Sequence, residues 1–260
     1  MTTVGIFGAS GRMGQALQQA LAAAQELQLG AAIVSEHSES RGEATLNGQL
    51  HYQSLAEYER QPTPISVWID FSLPQALSAH LAHATAAQQP ILVCTTGLAD
   101  AAQAELARAA QQIPILYAAN TSVGVNVLQH LTKIAARVFA DADIEILEYH
   151  HQAKRDAPSG TALILGEAAA AGREQSLAEV GAGIRANGVR EAGSIGFASV
   201  RAGDIIGEHT VLIAHAGERL ELTHKVSDRG IFAQGALNAA QWLCSQPSGY
   251  YEMSDMLGLG

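Results

Sequence analysis

The segment VGIFGASGRMG, Val4 to Gly14, constrains this chain more than any other. A short apolar run, Val4 to Phe7, leads directly into three glycines spaced three apart, Gly8, Gly11 and Gly14. A helical pattern follows from about Met13 to Ala24. A strand, a glycine turn and a helix N-terminus make a natural anion site. Backbone without side chains lets a pyrophosphate come close, and unpaired amides at the helix start attract its charge. The spacing is GxxGxxG and not GxGxxG, so a plain tight strand-to-helix turn would also account for it.

The rest of the first half favours the dinucleotide. Apolar runs at Leu29–Val34, Val67–Phe71, Ile91–Cys94 and Ile113–Tyr117 alternate with helical stretches, and Pro74 is placed to open one of them. Strands separated by helices read as βαβ units on a parallel sheet. In such sheets ligands bind at the carboxyl ends of the strands. Cys94, Thr95 and Thr96 follow one strand, and AANTSVGVN, Ala118 to Asn126, follows the next. The second strand ends at Val34 and Ser35, where an acid would normally hold the adenosine ribose of NAD. Arg12 is the one cation placed to face a 2′-phosphate, so neither NADH nor NADPH is selected.

After Asn120 the character changes. A helix over about Val125–Phe139 leads to a strand, Ile144–Tyr149, and then to EYHHQAKRDAPSGTA, Glu148 to Ala162. His150, His151 and Lys154 are proton carriers and cations. Pro158 disfavours helix at Ala157, and Ser159 or Thr161 can cap the helix that follows. The amides of Gly160 and Thr161 then form a carboxylate site, to which His151 and Lys154 add charge. Residues 172–194 read as a long loop. IGFASVRAG, HTVLIAHAG and RLELTHKV read as successive strands, and a last helix spans about Gly230–Leu243.

Composition excludes other classes. A net charge of −10 argues against a nucleic-acid binder or an anionic-membrane binder, since both need a basic face. Cys94 and Cys244 form no CxxC pair, and the histidines lack HxH or HExxH spacing, so no disulfide framework and no metal site is expected. No apolar window reaches transmembrane length and no charged leader precedes an apolar run, so a cytoplasmic enzyme is expected.

Taken in order, GASGRMG, IDFS, TTG, AANTSVGVN, EYHHQAKRDAPSGTA, GFASVRAGDIIGEHTV and GERLELTHKVSDR resemble the 4-hydroxy-tetrahydrodipicolinate reductase (dihydrodipicolinate reductase) family over nearly the whole chain. The resemblance implies an α/β fold. A Rossmann-like dinucleotide-binding domain, residues 1–121 plus 219–260, would be joined to an α+β substrate-binding and tetramerisation domain, residues 122–218, on an open mixed sheet. It implies a homotetramer that uses NADH or NADPH to reduce a small cyclic dicarboxylate in lysine and diaminopimelate biosynthesis. His150 would be a proton donor or acceptor and Lys154 the proton donor. His151, Lys154, Gly160 and Thr161 would bind substrate carboxylate. Gly8, Ala9, Ser10, Gly11, Arg12 and Met13 would hold the cofactor phosphates. Val34, Ser35, Cys94, Thr95, Thr96, Ala118, Ala119, Asn120 and Thr121 would line the rest of the cofactor. Members of the family often carry an acid and an arginine where Val34 and Ser35 stand, and Phe where Thr121 stands. Two competing classes are another two-domain NAD(P)-dependent dehydrogenase with a lysine acid-base group, and a non-catalytic dinucleotide-binding regulator.

Overall fold

A computed structural model describes residues 1–184 and 187–259. The chain divides into two compact units, Met1–Ser122 with Gly230–Gly258, and Val123–Arg229.

The first unit opens with β1 (Thr2–Phe7), α1 (Arg12–Ala23), β2 (Leu27–Ile33) and a short α2 (Leu55–Arg60). It continues with β3 (Val67–Asp70), a 3-10 turn started by Pro74, α3 (Leu77–Ala86), β4 (Ile91–Val93), α4 (Asp100–Ala109) and β5 (Pro114–Tyr117). The central strands are buried on both faces, as parallel sheets under crossover helices require. α2 is started by a capping box, Ser54 with Glu57.

The second unit begins with α5 (Val123–Val138) and β6 (Asp143–His150), followed by α6 (Gly160–Gly172) and α7 (Leu177–Val180). Then come β7 (Gly181–Ile184), β8 (Ile195–Arg201), β9 (Gly207–His215) and β10 (Glu218–Val226). The chain returns to the first unit through α8 (Gly230–Leu243), β11 (Gly249–Tyr251) and α9 (Met253–Leu257).

The first sheet has the order β11-β5-β4-β3-β1-β2, with every pair parallel. The chain leaves β1 toward β2 on one side and resumes at β3 on the other, so the switch point lies at β1 and β3. α1 and α8 cover one face, burying Leu17, Leu21, Leu237 and Leu243 against Val4, Ile6 and Ile69. α3 and α4 cover the other with Leu77, Leu81 and Leu106, packed on Trp68 and Ile91. Each such leucine contributes about 1.5–3 kcal/mol of transfer free energy.

The second sheet is mixed and open, β10-β9-β6-β8-β7. β6 pairs antiparallel with β9 and parallel with β8. Ile144, Ile146, Phe197, Val211 and Ile213 face α5 and α6 and form the core of this unit. The opposite face presents Leu147, Tyr149, Val200 and Leu212, all partly or largely exposed.

The boundary expected at residue 219 falls instead after Arg229. β10 pairs along its full length with β9, from Glu218↔His215 to Val226↔Gly207, and so belongs to the second sheet. The loop expected over residues 172–194 contains α7, capped by Ser176 and Glu179, and β7. Residues 185 and 186 of that loop lie outside the described residues.

Candidate active site

In the first unit, the carboxyl ends of β1, β2, β4 and β5 carry the residues expected at a cofactor. Gly8 has φ +77, and a Cβ there would lie 2.8 Å from the Phe71 carbonyl oxygen, so only glycine makes this turn without strain. A Cβ at Gly14 would lie 2.4 Å from the Gly8 oxygen, which shows how closely α1 sits on the turn. The Gly8 and Ala9 amides both donate to the Ile33 carbonyl. The amides of Ser10, Arg12 and Met13 have no acceptor among the described residues. Three unpaired donors at the start of a twelve-residue helix, with no acidic side chain in its first turn, fit a pyrophosphate. Arg12 is exposed beside them.

At the end of β2, the Val34 side chain is buried in the core, so only its backbone faces outward, and Ser35 is exposed. Positions 34 and 35 carry no ribose acid; Glu36, the next residue, is exposed, and Arg41 donates to its carbonyl at 2.9 Å. Ala119 and Thr96 are exposed, whereas Ala118 and Cys94 are buried, and burial pushes the Cys94 thiol well up. The Thr121 hydroxyl donates to the Phe232 carbonyl at 2.6 Å, so it is committed to anchoring α8.

Two supports of this edge had no assigned role in the sequence pattern. Asp70, fully buried, accepts from the Ser72 amide at 2.7 Å and the Thr95 hydroxyl at 3.3 Å, and contacts His80 Nδ1 at 2.8 Å. It thereby ties the loop after β3 to the loop after β4. Gln18, buried on α1, donates to the Ala9 carbonyl at 2.8 Å and accepts from the Leu46 amide at 3.1 Å. The IDFS motif marks Asp70, and Gln18 is a lone polar residue on an apolar helix face.

In the second unit the proton carriers gather at the end of β6. Alternation along the strand puts Glu148 and His150 on one face. Glu148 is fully buried and accepts from Arg201 twice, at 2.7 and 2.8 Å, and from the Ser159 amide at 3.2 Å. Its other partner is His150 Nδ1, at 2.5 Å. Burial alone would raise the Glu148 carboxyl; the Arg201 hydrogen bonds, helped by the Ser199 hydroxyl and then His150, overcome that and bring it to about 2. His150 is pushed below its ordinary value, first by burial, then by the charges of Lys154 and Arg201 against the pull of Glu148.

The loop after β6 is folded back on its own supports. Lys154 donates its amide to the His151 carbonyl, and its ammonium pairs with Asp156 at 2.8 Å. Arg201 also donates to the Asp156 carbonyl at 2.6 Å. Ser159 caps α6, accepting from the Ala162 amide at 3.2 Å, a cap typically worth ~1 kcal/mol. The same hydroxyl lies 3.0 Å from Nε2 of buried His209, whose pKa burial lowers to about 4. The His150 and His209 rings meet edge to face, 5.2 Å between centroids. Gly160 is exposed at the first turn of α6, with open space where a Cβ would stand, and Thr161 is partly exposed.

A parallel dinucleotide-type unit joined to a mixed-sheet unit with titratable side chains at the end of β6 is the make-up of the two-domain nicotinamide-dependent oxidoreductases. Residues 2–121 match the family model for the N-terminus of dihydrodipicolinate reductase, and residues 124–257 match the one for its C-terminus. The chain belongs to the dihydrodipicolinate reductase family. It is 46% identical over 266 residues to a 4-hydroxy-tetrahydrodipicolinate reductase of Pseudoalteromonas atlantica, covering 100% of both chains. It is 46% identical to one of Zymomonas mobilis, covering 98% of this chain and 97% of that one. The fold matches a dipicolinate-bound dihydrodipicolinate reductase from Paenisporosarcina sp. TG-14, with TM-score 0.78, 20% identity and 97% of both chains covered. A myo-inositol dehydrogenase of Corynebacterium glutamicum shares the fold more loosely, at TM-score 0.58 and 12% identity over 94% of this chain and 89% of that one.

Proposed function

We propose that the groups at the end of β6 and the start of α6 bind and protonate a cyclic dicarboxylate, and that the glycine turn after β1 holds the pyrophosphate of NADH or NADPH. The protein is an NAD(P)H-dependent reductase that converts 4-hydroxy-tetrahydrodipicolinate to tetrahydrodipicolinate in lysine and diaminopimelate biosynthesis. The observation that carries the site assignment is the juxtaposition of His150 and Lys154 with the N-terminus of α6. The dipicolinate named with the Paenisporosarcina structure is a ring bearing two carboxylates, the chemistry such a cradle suits.

The substrate ring carries two carboxylates, a C=N group and a hydroxyl that leaves as water. The bound cofactor supplies the hydride that reduces the resulting conjugated ring. His151, Lys154 and the amides of Gly160 and Thr161 hold a carboxylate, with the helix N-terminus adding its partial positive charge. Lys154 donates the proton that the reduced ring takes up at carbon, and His150 is the second proton-handling group. Asp156 holds the ammonium until substrate carboxylate replaces it. Ser10, Arg12 and Met13 receive the phosphates through their amides, and Cys94–Thr96 and Ala118–Asn120 line the remainder of the cofactor.

The exposed sheet face of Leu147, Tyr149, Val200 and Leu212 is the surface on which copies of the chain assemble into a homotetramer in the cytoplasm. Light scattering after size exclusion gives four chain masses if this holds and one if it does not. The assay of function follows NADH and NADPH oxidation with the fresh condensation product of pyruvate and aspartate semialdehyde. No oxidation with either cofactor rejects the function; turnover of myo-inositol or an amino acid in its place would favour another dehydrogenase.

A further inference from the structure

We propose that Glu148 and Arg201 are positioning residues that lock His150 in the tautomer protonated on Nδ1, leaving Nε2 a bare acceptor and making Lys154 the only proton donor of the pair. The inference rests on the function assigned above and goes beyond it by separating the roles of His150 and Lys154.

The lock follows from counting donors. Glu148 accepts two bonds from Arg201 and one from the Ser159 amide, so its carboxylate is ionised and has no hydrogen to give. At 2.5 Å from that carboxylate, His150 Nδ1 must supply the hydrogen itself. A neutral ring protonated on Nδ1 has its lone pair on Nε2. The charged and titratable groups around the ring are Glu148 on β6, Arg201 on β8, His209 on β9 with His224 beyond it on β10, and Lys154 in the loop. Glu148 alone favours the imidazolium; burial and the cations outweigh it, so the ring is neutral at pH 7. Nε2 is directed at Gly207, where a Cβ would lie only 3.1 Å away. Glycine at that point leaves the acceptor side of the ring unobstructed.

A neutral His150 in this tautomer cannot protonate substrate. Lys154 can: an Nζ–H bond breaks, a C–H bond forms at carbon from the π electrons of the anionic aza-enolate that hydride addition leaves, and the neutral imine and a neutral amine result. Solvent then recharges the lysine. Glu148 and Arg201 touch no reacting atom, so their effect is exerted through the imidazole.

Glu148→Gln gives the test, because the rest of the clamp dictates how the amide turns. Arg201 Nη2 and the Ser159 amide both donate to Oε1 and demand the Gln oxygen there, so the Gln NH2 takes the Oε2 position, where Arg201 Nη1 loses its bond and turns away. The Gln NH2 then faces Nδ1, which must become the acceptor and move the proton to Nε2. Two-bond 15N–1H correlation spectra of 15N-histidine-labelled protein, assigned with His150→Asn, read the tautomer without substrate. The expected result is protonated Nδ1 and bare Nε2 in the natural protein, reversed in Glu148→Gln. In the coupled assay kcat falls by about tenfold or more, KM changes less, NADH binding is kept, and Glu148→Asp recovers part of kcat. A natural protein protonated on Nε2 overturns the proposal, even if the variant does not fold. So does a Glu148→Gln protein with the natural tautomer or natural kcat. If the natural protein oxidises no NADH with the substrate, the functional assignment fails while the spectra still decide the tautomer.

Discussion

Replacing Arg201 by Met removes the cation that holds the Glu148 carboxylate while keeping most of the side-chain volume. In the natural protein the carboxyl is brought from an ordinary 4.5 to about 2 despite full burial. At 1.36 kcal/mol per pH unit, that drop is worth ~3 kcal/mol of folding stability at pH 7. Arg201 is the chief cause, and a buried carboxylate stripped of its cation typically costs 3–5 kcal/mol. Arg201→Met is therefore expected to lose about 3 kcal/mol at pH 7. The pH dependence carries the sign. A depressed carboxyl pKa stabilises above its ordinary value, and the benefit is lost as pH falls from 4.5 toward 2. In the variant burial raises the same pKa, so the buried group is favoured as the neutral acid. The gap between the two proteins must narrow from pH 7 to pH 3. Tyr149 is the only tyrosine, and there is no tryptophan, in Val123–Arg229. Urea unfolding followed by 19F spectra of fluorotyrosine-labelled protein, with Tyr149→Phe for assignment, reports on that unit alone. Other carboxylates titrate equally in both proteins and cancel in the difference. An unchanged gap at pH 3, or a double variant Glu148→Gln/Arg201→Met no more stable than Arg201→Met, would refute the reasoning.

Lys154→Ala should lower kcat by about a hundredfold or more through loss of the proton donor, whereas Thr161→Val should chiefly raise KM; both should bind NADH normally by fluorescence titration. Gly14→Ala places a Cβ 2.4 Å from the Gly8 oxygen, so α1 must shift off the turn. Calorimetry should show a loss of about 1–3 kcal/mol, and titration a weaker affinity for both cofactors. With no ribose acid at Val34 or Ser35, and with Arg12 on α1 and Arg41 against the Glu36 carbonyl as exposed cations, NADH and NADPH should differ by less than about a hundredfold in kcat/KM, ~3 kcal/mol of discrimination. A several-thousandfold preference for either cofactor would contradict this.

The glycine turn, the alternating strands and the capped helix after Pro158 were legible because each is a local pattern with a local cause. Ser159 as N-cap is an example: side-chain chemistry and the following helix are within three residues of each other. The placement of β10 was not legible. Its residues alternate between exposed and half-buried, a pattern that fits the edge of either sheet, and only the register with β9 decides. β11 has three residues and no periodicity to read. Glu148 lay in plain view beside His150, but its partner Arg201 is fifty-three positions away and is brought there by the parallel pairing of β6 with β8. Asp70 and His80 meet only because α3 folds back over β3. Charges that act through one another across sheets leave no trace in spacing. The Ser54–Glu57 and Ser176–Glu179 capping boxes were the signals by which the two short helices could have been found.

The return of the chain through α8 and β11 also sets an order of events at the ribosome. Proteins are made from the N-terminus, and domains usually fold in that order. Here the segment made first cannot finish first. Until α8 emerges, Val67, Ile69, Leu92 and Leu116 on β3, β4 and β5 lack the helix that packs on them, and the β5 edge lacks β11. The inserted segment, Val123–Arg229, contains α5, α6, α7 and all five strands of its own sheet and closes earlier. A nascent chain from which Arg229 has just left the exit tunnel therefore carries a finished second half behind an unfinished first half. That half-built sheet presents an apolar face and an unpaired edge, the features that trigger factors and other ribosome-associated chaperones bind.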